Sequence, residues 1–199
     1  MRKNFVYLAS ASPRRRELLG QIGVEFEARV PDADESLRPG EAPADYVRRL
    51  AEAKADVVWR SLGGADEPAP VVGADTAVVL DERVLGKPDG VDAALGMLET
   101  LSGRTHRVYT GVAVRHRGGL DSLVNVSEVR FRPTTDAERR AYCGTGEPFD
   151  KAGGYGIQGL GAVFVEHLSG SYSAVMGLPL CETALLLERV GVPAWLVGA

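Results

Sequence analysis

The apolar segment VVGADTAVVL, Val71 to Leu80, constrains the fold because it is typical of a buried strand yet carries a carboxylate in its middle. An ionised Asp75 among apolar neighbours is unfavourable unless it is paired, solvated by a cleft or bound to a metal. Two interpretations stay open: Asp75 caps a turn or marks a bulge, or it acts as a general base or as a ligand of a hard cation. Thr76 places a hydroxyl beside it.

A second strand-like segment follows at Arg83–Gly86, after a turn at Asp81-Glu82. Two strands separated by so short a turn are expected to pair as a hairpin. The segment LGKPDG places Lys87 at the end of the second arm, so we expect the hairpin to bring Lys87 back near Asp75.

The segment LASASPRRRELL, which begins at Leu8, predicts a strand followed by a helix. Ser12 is a good N-cap, and Pro13 suits the first helical position. Three consecutive arginines, at positions 14–16, then lie at the helix end that carries partial positive charge. They form either a solvated basic turn or, together with the backbone N–H groups, a binding site for an anion such as phosphate. Because of its three- and four-residue spacing to the leucines that follow, Arg15 points along the apolar side of the helix.

Lys54 raises a similar question in the helix predicted over about Ala44–Leu62. It lies seven residues after Val47 and therefore on the apolar, inward side of that helix. The commoner role of a single lysine at such a position is to extend its methylene stem along apolar surface. The alternative is an inward lysine that pairs with an anion.

The acidic segment DADES, Asp32–Ser36, lies where a predicted strand ends and a loop begins. Alone it is a solvated turn. Beside phosphate groups it would supply a ligand for magnesium, which prefers carboxylate oxygens, and Glu35 is then the best candidate.

The segment EPFDKAGGYGIQGLG, Glu147–Gly161, is rich in glycine and also contains Lys151 and Gln158. Glycine lets a ligand approach the backbone closely. The order and spacing of these glycines match neither a Walker motif nor a dinucleotide-binding motif, so the segment alone does not specify a ligand.

Composition excludes several classes of protein. With 199 residues, 45% hydrophobic and 25% charged, the chain is an ordinary globular protein with a full core. Its net charge of −4 argues against a general nucleic-acid-binding surface. Cys143 and Cys181 match no metal or redox spacing, so reduced thiols are expected. No stretch is long enough to cross a membrane, and we expect a soluble, cytoplasmic protein.

Helices and strands alternate without a strict βαβ rhythm, which predicts an α/β or α+β fold with a mixed sheet. Beyond the segments above, helices are predicted at about Val91–Leu101, Thr135–Tyr142 and Leu180–Val190, and a strand at Ala162–Gly170. The segment Gly63–Pro70 is predicted to be a surface loop.

Four ordered motifs closely resemble those of the Maf family of nucleoside triphosphate pyrophosphatases: LASASPRRRELL, GADTAVVLDERVLGKP, DKAGGYGIQGLG and GSYSAVMGLPL. The resemblance covers nearly the whole chain. It implies one Maf-like domain over residues 1–199, with an elongated mixed sheet flanked by helices and two lobes around a central nucleotide-binding cleft. It also implies a relationship to the inosine triphosphate pyrophosphatases, and members of the family are often homodimers.

The resemblance further implies cleavage between the α and β phosphates of a nucleoside triphosphate, aided by Mg²⁺ or Mn²⁺, with Asp75 as the catalytic residue. Glu35 and Asp75 are the implied metal ligands. The implied substrate-binding and specificity residues are Ser10, Arg14, Arg15, Lys54, Thr76, Lys87, Lys151 and Gln158.

Arg14, Thr76 and the segment GGYGIQG resemble the branch that hydrolyses dTTP and UTP, in a role of nucleotide-pool cleaning with a link to septum formation. Three alternative functions stay open. They are a 7-methyl-GTP pyrophosphatase, a phosphatase that removes the terminal phosphate, and a non-catalytic nucleotide-binding regulator of septation. Neither nucleic acid nor membrane is an expected partner.

Overall fold

The computed structural model describes residues 4–63 and 69–195, which form a mixed α/β fold. Seven strands occur in this part of the chain: β1 (Phe5–Ala9), β2 (Glu25–Ala28), β3 (Val71–Leu80), β4 (Arg83–Leu85), β5 (Thr105–His116), β6 (Gly119–Phe131) and β7 (Val165–Ser169). The helices are α1 (Pro13–Gln21), α2 (Pro43–Ser61), α3 (Val91–Leu101), α4 (Asp136–Cys143), α5 (Tyr172–Met176) and α6 (Leu180–Arg189). Three short 3-10 turns lie at Glu147–Asp150, Ala152–Gly154 and Leu160–Phe164.

The strands form one mixed sheet in the order β2-β1-β3-β5-β6-β7, and β4 pairs with β3. Strand β1 runs parallel to both β2 and β3, whereas β4 is antiparallel to β3 and β7 is antiparallel to β6. The mixed sheet confirms the predicted fold class. The predicted hairpin is confirmed too, because Val78 is paired with Leu85 and Leu80 with Arg83.

Most predicted elements are present, and the differences lie in short segments. The strand predicted before the acidic segment is β2, whose bounds were not predicted. Helix α5 was not predicted, since five residues are too few to establish a periodicity. The strand predicted from Ala162 begins only at Val165, because the preceding apolar residues form the last 3-10 turn. Residues 64–68 of the predicted loop lie outside the described residues.

The chain divides into two compact units. Unit 1 comprises residues 1–75, 110–125 and 177–199, and unit 2 comprises residues 76–109 and 126–176. The expectation of one domain with two lobes and a cleft between them stays a prediction.

In unit 1, helix α2 packs closely on the sheet because two strand residues beneath it are glycines. A Cβ atom at Gly73 would lie 2.2 Å from the Ala51 carbonyl oxygen, and one at Gly111 would lie 2.4 Å from the Val47 carbonyl oxygen. This close approach buries small side chains between helix and sheet, namely Ala9, Ala51, Ala55, Val58, Val71 and Ala113.

In unit 2, the core is built around aromatic rings. Phe131 packs edge-on against Tyr155 and His106. The His106 Nε2 and the Tyr155 hydroxyl are 2.8 Å apart, and burial lowers the pKa of His106 to about 4. His106 is therefore a neutral core residue. The unit also buries Cys143, a free thiol like the exposed Cys181.

No helix in the described residues combines the length and the apolar character that spanning a membrane requires.

Candidate active site

An ion cluster in unit 1 is formed by Lys54, Asp75 and Glu35. Helix α2 directs Lys54 inward, where the residue is only 7% exposed. Its Nζ lies 2.6 Å from Asp75 Oδ1 and 2.6 Å from Glu35 Oε1. The inward lysine paired with anions is thus the correct interpretation, and extension along apolar surface is wrong.

Asp75 lies within β3, which continues unbroken from Val71 to Leu80. The interpretation that Asp75 caps a turn is therefore wrong. The residue is 7% exposed, and burial raises the pKa of its carboxyl above the ordinary value, while the positive charges of Lys54 and Arg15 oppose this shift. A buried carboxylate with a raised pKa and cationic neighbours is suited to accept a proton.

Arg15, in the first turn of α1, is held by one backbone and two side-chain hydrogen bonds. Ser12 caps the helix as predicted, its hydroxyl accepting from the Arg15 backbone N–H at 3.5 Å. The Arg15 Nε donates to the carbonyl oxygen of Gly177 at 2.8 Å, and its Nη1 donates to the buried Ser10 hydroxyl at 3.3 Å. The guanidinium is therefore fixed in position at the start of the helix.

The electrostatic surroundings of Arg15 link the arginines to the ion cluster. Burial lowers the pKa of the Arg15 guanidinium, Asp75 and Glu35 raise it, and the neighbouring charge of Arg14 lowers it further. The structure thus brings together five predicted residues of unit 1, which are Ser10, Arg15, Glu35, Lys54 and Asp75. Arg14 is next to Arg15 in the chain, and its charge acts on the Arg15 guanidinium. Cations in this arrangement are suited to bind an anion.

The loop that carries Glu35 is fastened to α2 by two residues that the sequence analysis missed. The Tyr46 hydroxyl donates to the Glu35 carbonyl oxygen at 3.0 Å, and the Arg49 Nη2 donates to the Ser36 carbonyl oxygen at 3.0 Å. Arg49 also binds both carboxylate oxygens of Glu41, at 2.6 and 2.7 Å, and this hydrogen bonding lowers the pKa of Glu41 to about 2.

Helical spacing was the signal that would have found Tyr46. It precedes Lys54 by about two helical turns and therefore lies near the same side of α2. Arg49 gave no such signal, because an arginine in an exposed helix turn is usually solvated.

The carboxylates of Glu35 and Asp75 are the candidate ligands of a divalent cation. In the described part of the chain, no cluster of three or more His, Cys, Asp or Glu side chains could hold a metal ion by itself. Mg²⁺ is, however, usually bound through one or two carboxylates together with substrate phosphates and water. Since both carboxylates contact the same Lys54 nitrogen, their contacting oxygens lie no farther apart than the sum of those two distances. By donor type, the two carboxylates suit Mg²⁺ or Mn²⁺ that arrives with a phosphate ligand.

Four predicted substrate-binding residues belong to unit 2. Thr76 follows Asp75 in β3 and is half-buried, and Lys87 lies exposed just after β4. The Lys151 Nζ donates to the Glu147 carbonyl oxygen at 2.7 Å and pairs with the Asp150 carboxylate. The half-buried Gln158 lies in the glycine-rich segment. The expected approach of Lys87 to Asp75 stays a prediction.

Comparison with known proteins gives consistent results. A family model described as Maf-like protein matches residues 5–190. The dTTP/UTP pyrophosphatase of Chromobacterium violaceum is 50% identical over 187 residues, which cover 94% of this chain and 94% of that protein. The dTTP/UTP pyrophosphatase of Bordetella parapertussis is 52% identical over 192 residues, which cover 94% of this chain and 93% of that protein.

Among solved structures, the Staphylococcus aureus Ham1 protein matches with a TM-score of 0.44 and 14% identity, over 81% of this chain and 79% of that one. At this level of similarity, the relationship to the inosine triphosphate pyrophosphatases stays a prediction.

Proposed function

The chain belongs to the Maf-like protein family, and on this premise we propose that it hydrolyses dTTP and UTP to the nucleoside monophosphate and pyrophosphate. The observation that carries the proposal is the ion cluster, in which the buried Asp75 and the exposed Glu35 share the Lys54 ammonium while Arg15 lies within their electrostatic reach. Such a site combines cations that bind phosphate with a carboxylate that can accept a proton.

Asp75 is the residue that acts on the attacking water. Its carboxylate orients the water and takes its proton as the oxygen attacks the α-phosphorus. The raised pKa makes the carboxylate a better base than an ordinary aspartate, because the affinity for the incoming proton is greater.

The cations of unit 1 bind the triphosphate and stabilise the negative charge that develops on the pyrophosphate leaving group. Arg15 suits this role because Gly177 and Ser10 already fix its guanidinium, so little conformational freedom remains to be lost. Lys54 balances the charge of Asp75 and Glu35 and, on substrate binding, is positioned to contact phosphate oxygens.

A divalent cation, Mg²⁺ or Mn²⁺, would be held by Glu35 and Asp75 and would supply charge neutralisation at the phosphate oxygens. Tyr46 supports this role, since its bond to the Glu35 backbone keeps that residue at the ion cluster.

For the residues of unit 2, the proposed roles rest on the family resemblance. Lys87 and Lys151 bind phosphate. Thr76 and Gln158 select the base, with the Gln158 amide suited to a pyrimidine edge because it both donates and accepts hydrogen bonds. We further propose a cytoplasmic location and a homodimer, with neither nucleic acid nor membrane as partner.

The substitution Asp75→Asn tests the catalytic assignment. We expect pyrophosphate release from dTTP to fall at least about a thousandfold, because an amide cannot accept the proton, while nucleotide binding measured by calorimetry is retained. The matched control is Asp81→Asn, since Asp81 is exposed and its carboxylate pairs with the exposed Arg104. Near-normal turnover in Asp75→Asn would overturn the assignment.

The identity of the product separates the proposed function from its alternatives. Purified protein is incubated with dTTP, UTP, CTP and 7-methyl-GTP in Mg²⁺ or Mn²⁺, and pyrophosphate is resolved from orthophosphate. Pyrophosphate from dTTP and UTP is the expected result. Orthophosphate would indicate a terminal phosphatase, preference for 7-methyl-GTP would indicate the other family branch, and binding without turnover would indicate a regulator.

A further inference from the structure

The carboxylate of Glu147 lies at the centre of the segment that carries Gln158. Its Oε2 accepts from the backbone N–H of Leu160 at 2.8 Å, and its Oε1 accepts from the backbone N–H of Gly161 at 3.1 Å. The Tyr142 hydroxyl donates to the same Oε1 at 2.8 Å and accepts from the backbone N–H of Gly156 at 3.1 Å. The two side chains therefore bind the backbone on both sides of Gln158.

The glycines of this segment are required by the same contacts. A Cβ atom at Gly159 would lie 2.4 Å from Glu147 Oε2, and a Cβ atom at Gly161 would lie 2.7 Å from the Tyr142 hydroxyl. A Cβ atom at Gly156 would lie 2.8 Å from the Lys151 side chain. Close approach is indeed why glycine occurs here, but the groups that approach belong to the protein itself. The three glycines therefore do not indicate a bound ligand.

The turn at Gln158 is anchored in the core on one side only. Ile157 and Tyr155, which precede Gln158, are buried in the core of unit 2. A backbone hydrogen bond of 3.1 Å from the Gly159 N–H to the Gly156 carbonyl oxygen closes the turn, and Gly159 leaves the backbone after Gln158 more freedom than any other residue would. The Glu147 carboxylate removes that freedom by fixing Leu160 and Gly161. Lys151 adds to the anchor, because its Nζ binds the Glu147 carbonyl oxygen.

We propose that Glu147 is a positioning residue for base recognition, which holds the segment 156–161 in one conformation and so aims the Gln158 amide at the nucleobase. The inference rests on the proposed function, since it takes Gln158 to read the base. Because Gln158 is assigned to the base and not to the reacting phosphates, misplacing its amide weakens discrimination between bases. Glu147 therefore acts on substrate choice through Gln158 and touches no reacting atom.

The test compares Glu147→Gln and Glu147→Ala with wild type for kcat and KM on dTTP and on CTP. We expect the dTTP-to-CTP ratio of kcat/KM to fall about tenfold in Glu147→Ala, mainly through KM for dTTP, and less in Glu147→Gln, which keeps one acceptor oxygen. Glu166→Gln is the matched control, because Glu166 is exposed and its carboxylate binds the exposed Arg130. It should leave the ratio unchanged.

A double-mutant cycle then shows whether Glu147 acts through Gln158. In a Gln158→Ala background, Glu147→Gln should change the ratio no further, because the group that it positions is gone. An unchanged ratio in a folded Glu147→Gln protein, or additive losses in the cycle, would overturn the proposal. If Glu147→Gln fails to fold, Tyr142→Phe decides in the same way, since it removes the hydrogen bond to the Glu147 carboxylate and the acceptor of the Gly156 N–H.

Hydrogen exchange distinguishes a failure of this inference from a failure of the proposed function. The Leu160 and Gly161 amides should exchange faster in Glu147→Gln whatever the protein hydrolyses. Suppose that these amides exchange faster in Glu147→Gln but that the wild type releases no pyrophosphate from dTTP. That result would refute the proposed function and, with it, the role of Glu147 in base recognition. Unchanged exchange beside normal wild-type activity would refute the positioning role alone.

Discussion

At the scale of single residues, the central feature is the charge balance around Lys54. Its ammonium contacts Asp75, which is as deeply buried as the lysine, and Glu35, whose side chain is 56% exposed. A buried charge is tolerated only with its partner, so removing one member of such a pair is more damaging than the pair itself is stabilising.

Lys54→Met is therefore expected to lower the free energy of unfolding by about 3 kcal/mol, because Asp75 and Glu35 would lose the ammonium that both of them contact. Urea denaturation measures the change. The double variant Lys54→Met/Asp75→Asn should recover part of the loss, since the unpaired buried carboxylate is then gone. A double variant no more stable than Lys54→Met would contradict this account.

The pH dependence of activity follows from Asp75. Because burial raises its pKa above the ordinary 3.8, the carboxyl stays protonated, and hence unable to act as a base, at pH values where a solvated aspartate is already ionised. We expect kcat/KM for dTTP to rise with pH, with the midpoint of the rise above pH 3.8. The pH–rate profile measures it, and Asp81→Asn should share the same midpoint. A midpoint at or below pH 3.8 would contradict the assignment of Asp75 as the base.

At the scale of elements, helix α2 connects packing with the site. It approaches the sheet over Gly73 and Gly111 and carries Tyr46, Arg49 and Lys54. The position of the ion cluster therefore depends on how closely this helix packs, since a helix that shifts away from the sheet moves Lys54 relative to Asp75.

Gly73→Ala and Gly111→Ala are each expected to lower the free energy of unfolding by about 3 kcal/mol or more, because the added methyl would meet helix backbone at 2.2 and 2.4 Å. Activity should fall with stability as Lys54 is displaced. Gly96→Ala is the control, since Gly96 lies within α3 with open space around it and alanine is the better helix former. Thermal unfolding measures the stability of each variant, and the dTTP assay measures its activity. Unchanged stability and activity in Gly73→Ala would contradict close packing of α2 on the sheet.

At the scale of the whole molecule, net charge and site charge have opposite signs. The chain carries −4 overall, yet Arg15 and Lys54 both act on Asp75 in unit 1, and Arg14 is adjacent to Arg15. A negatively charged protein with a local cluster of cations binds a small polyanion by specific contacts rather than by general attraction.

Nucleotide binding should accordingly stabilise the whole fold. A UTP analogue with a non-hydrolysable α–β bridge, at about 100 times its dissociation constant with Mg²⁺, is expected to add about 2.7 kcal/mol to the free energy of unfolding. For a chain of this size, that raises Tm by about 5–10 °C. Differential scanning calorimetry measures the shift, with orthophosphate at equal concentration as the control. An equal shift with orthophosphate would contradict recognition of the nucleotide.

Some of this molecule was determined by local sequence alone. The N-cap at Ser12, the hairpin of β3 and β4, the inward direction of Lys54 and the mixed fold class all follow from spacing and turn chemistry within a few residues. Those signals are reliable because an element's periodicity decides on which side each of its residues lies.

Tertiary structure decided what each inward residue meets. That Lys54 meets both Asp75 and Glu35, that Arg15 meets Gly177, and that the glycines 156, 159 and 161 admit the protein's own side chains could not be derived from spacing. These contacts join segments far apart in the chain, so they depend on the path of the backbone between them. The physical reason is that local sequence sets the direction of a side chain, whereas only the packing of the elements determines its partner.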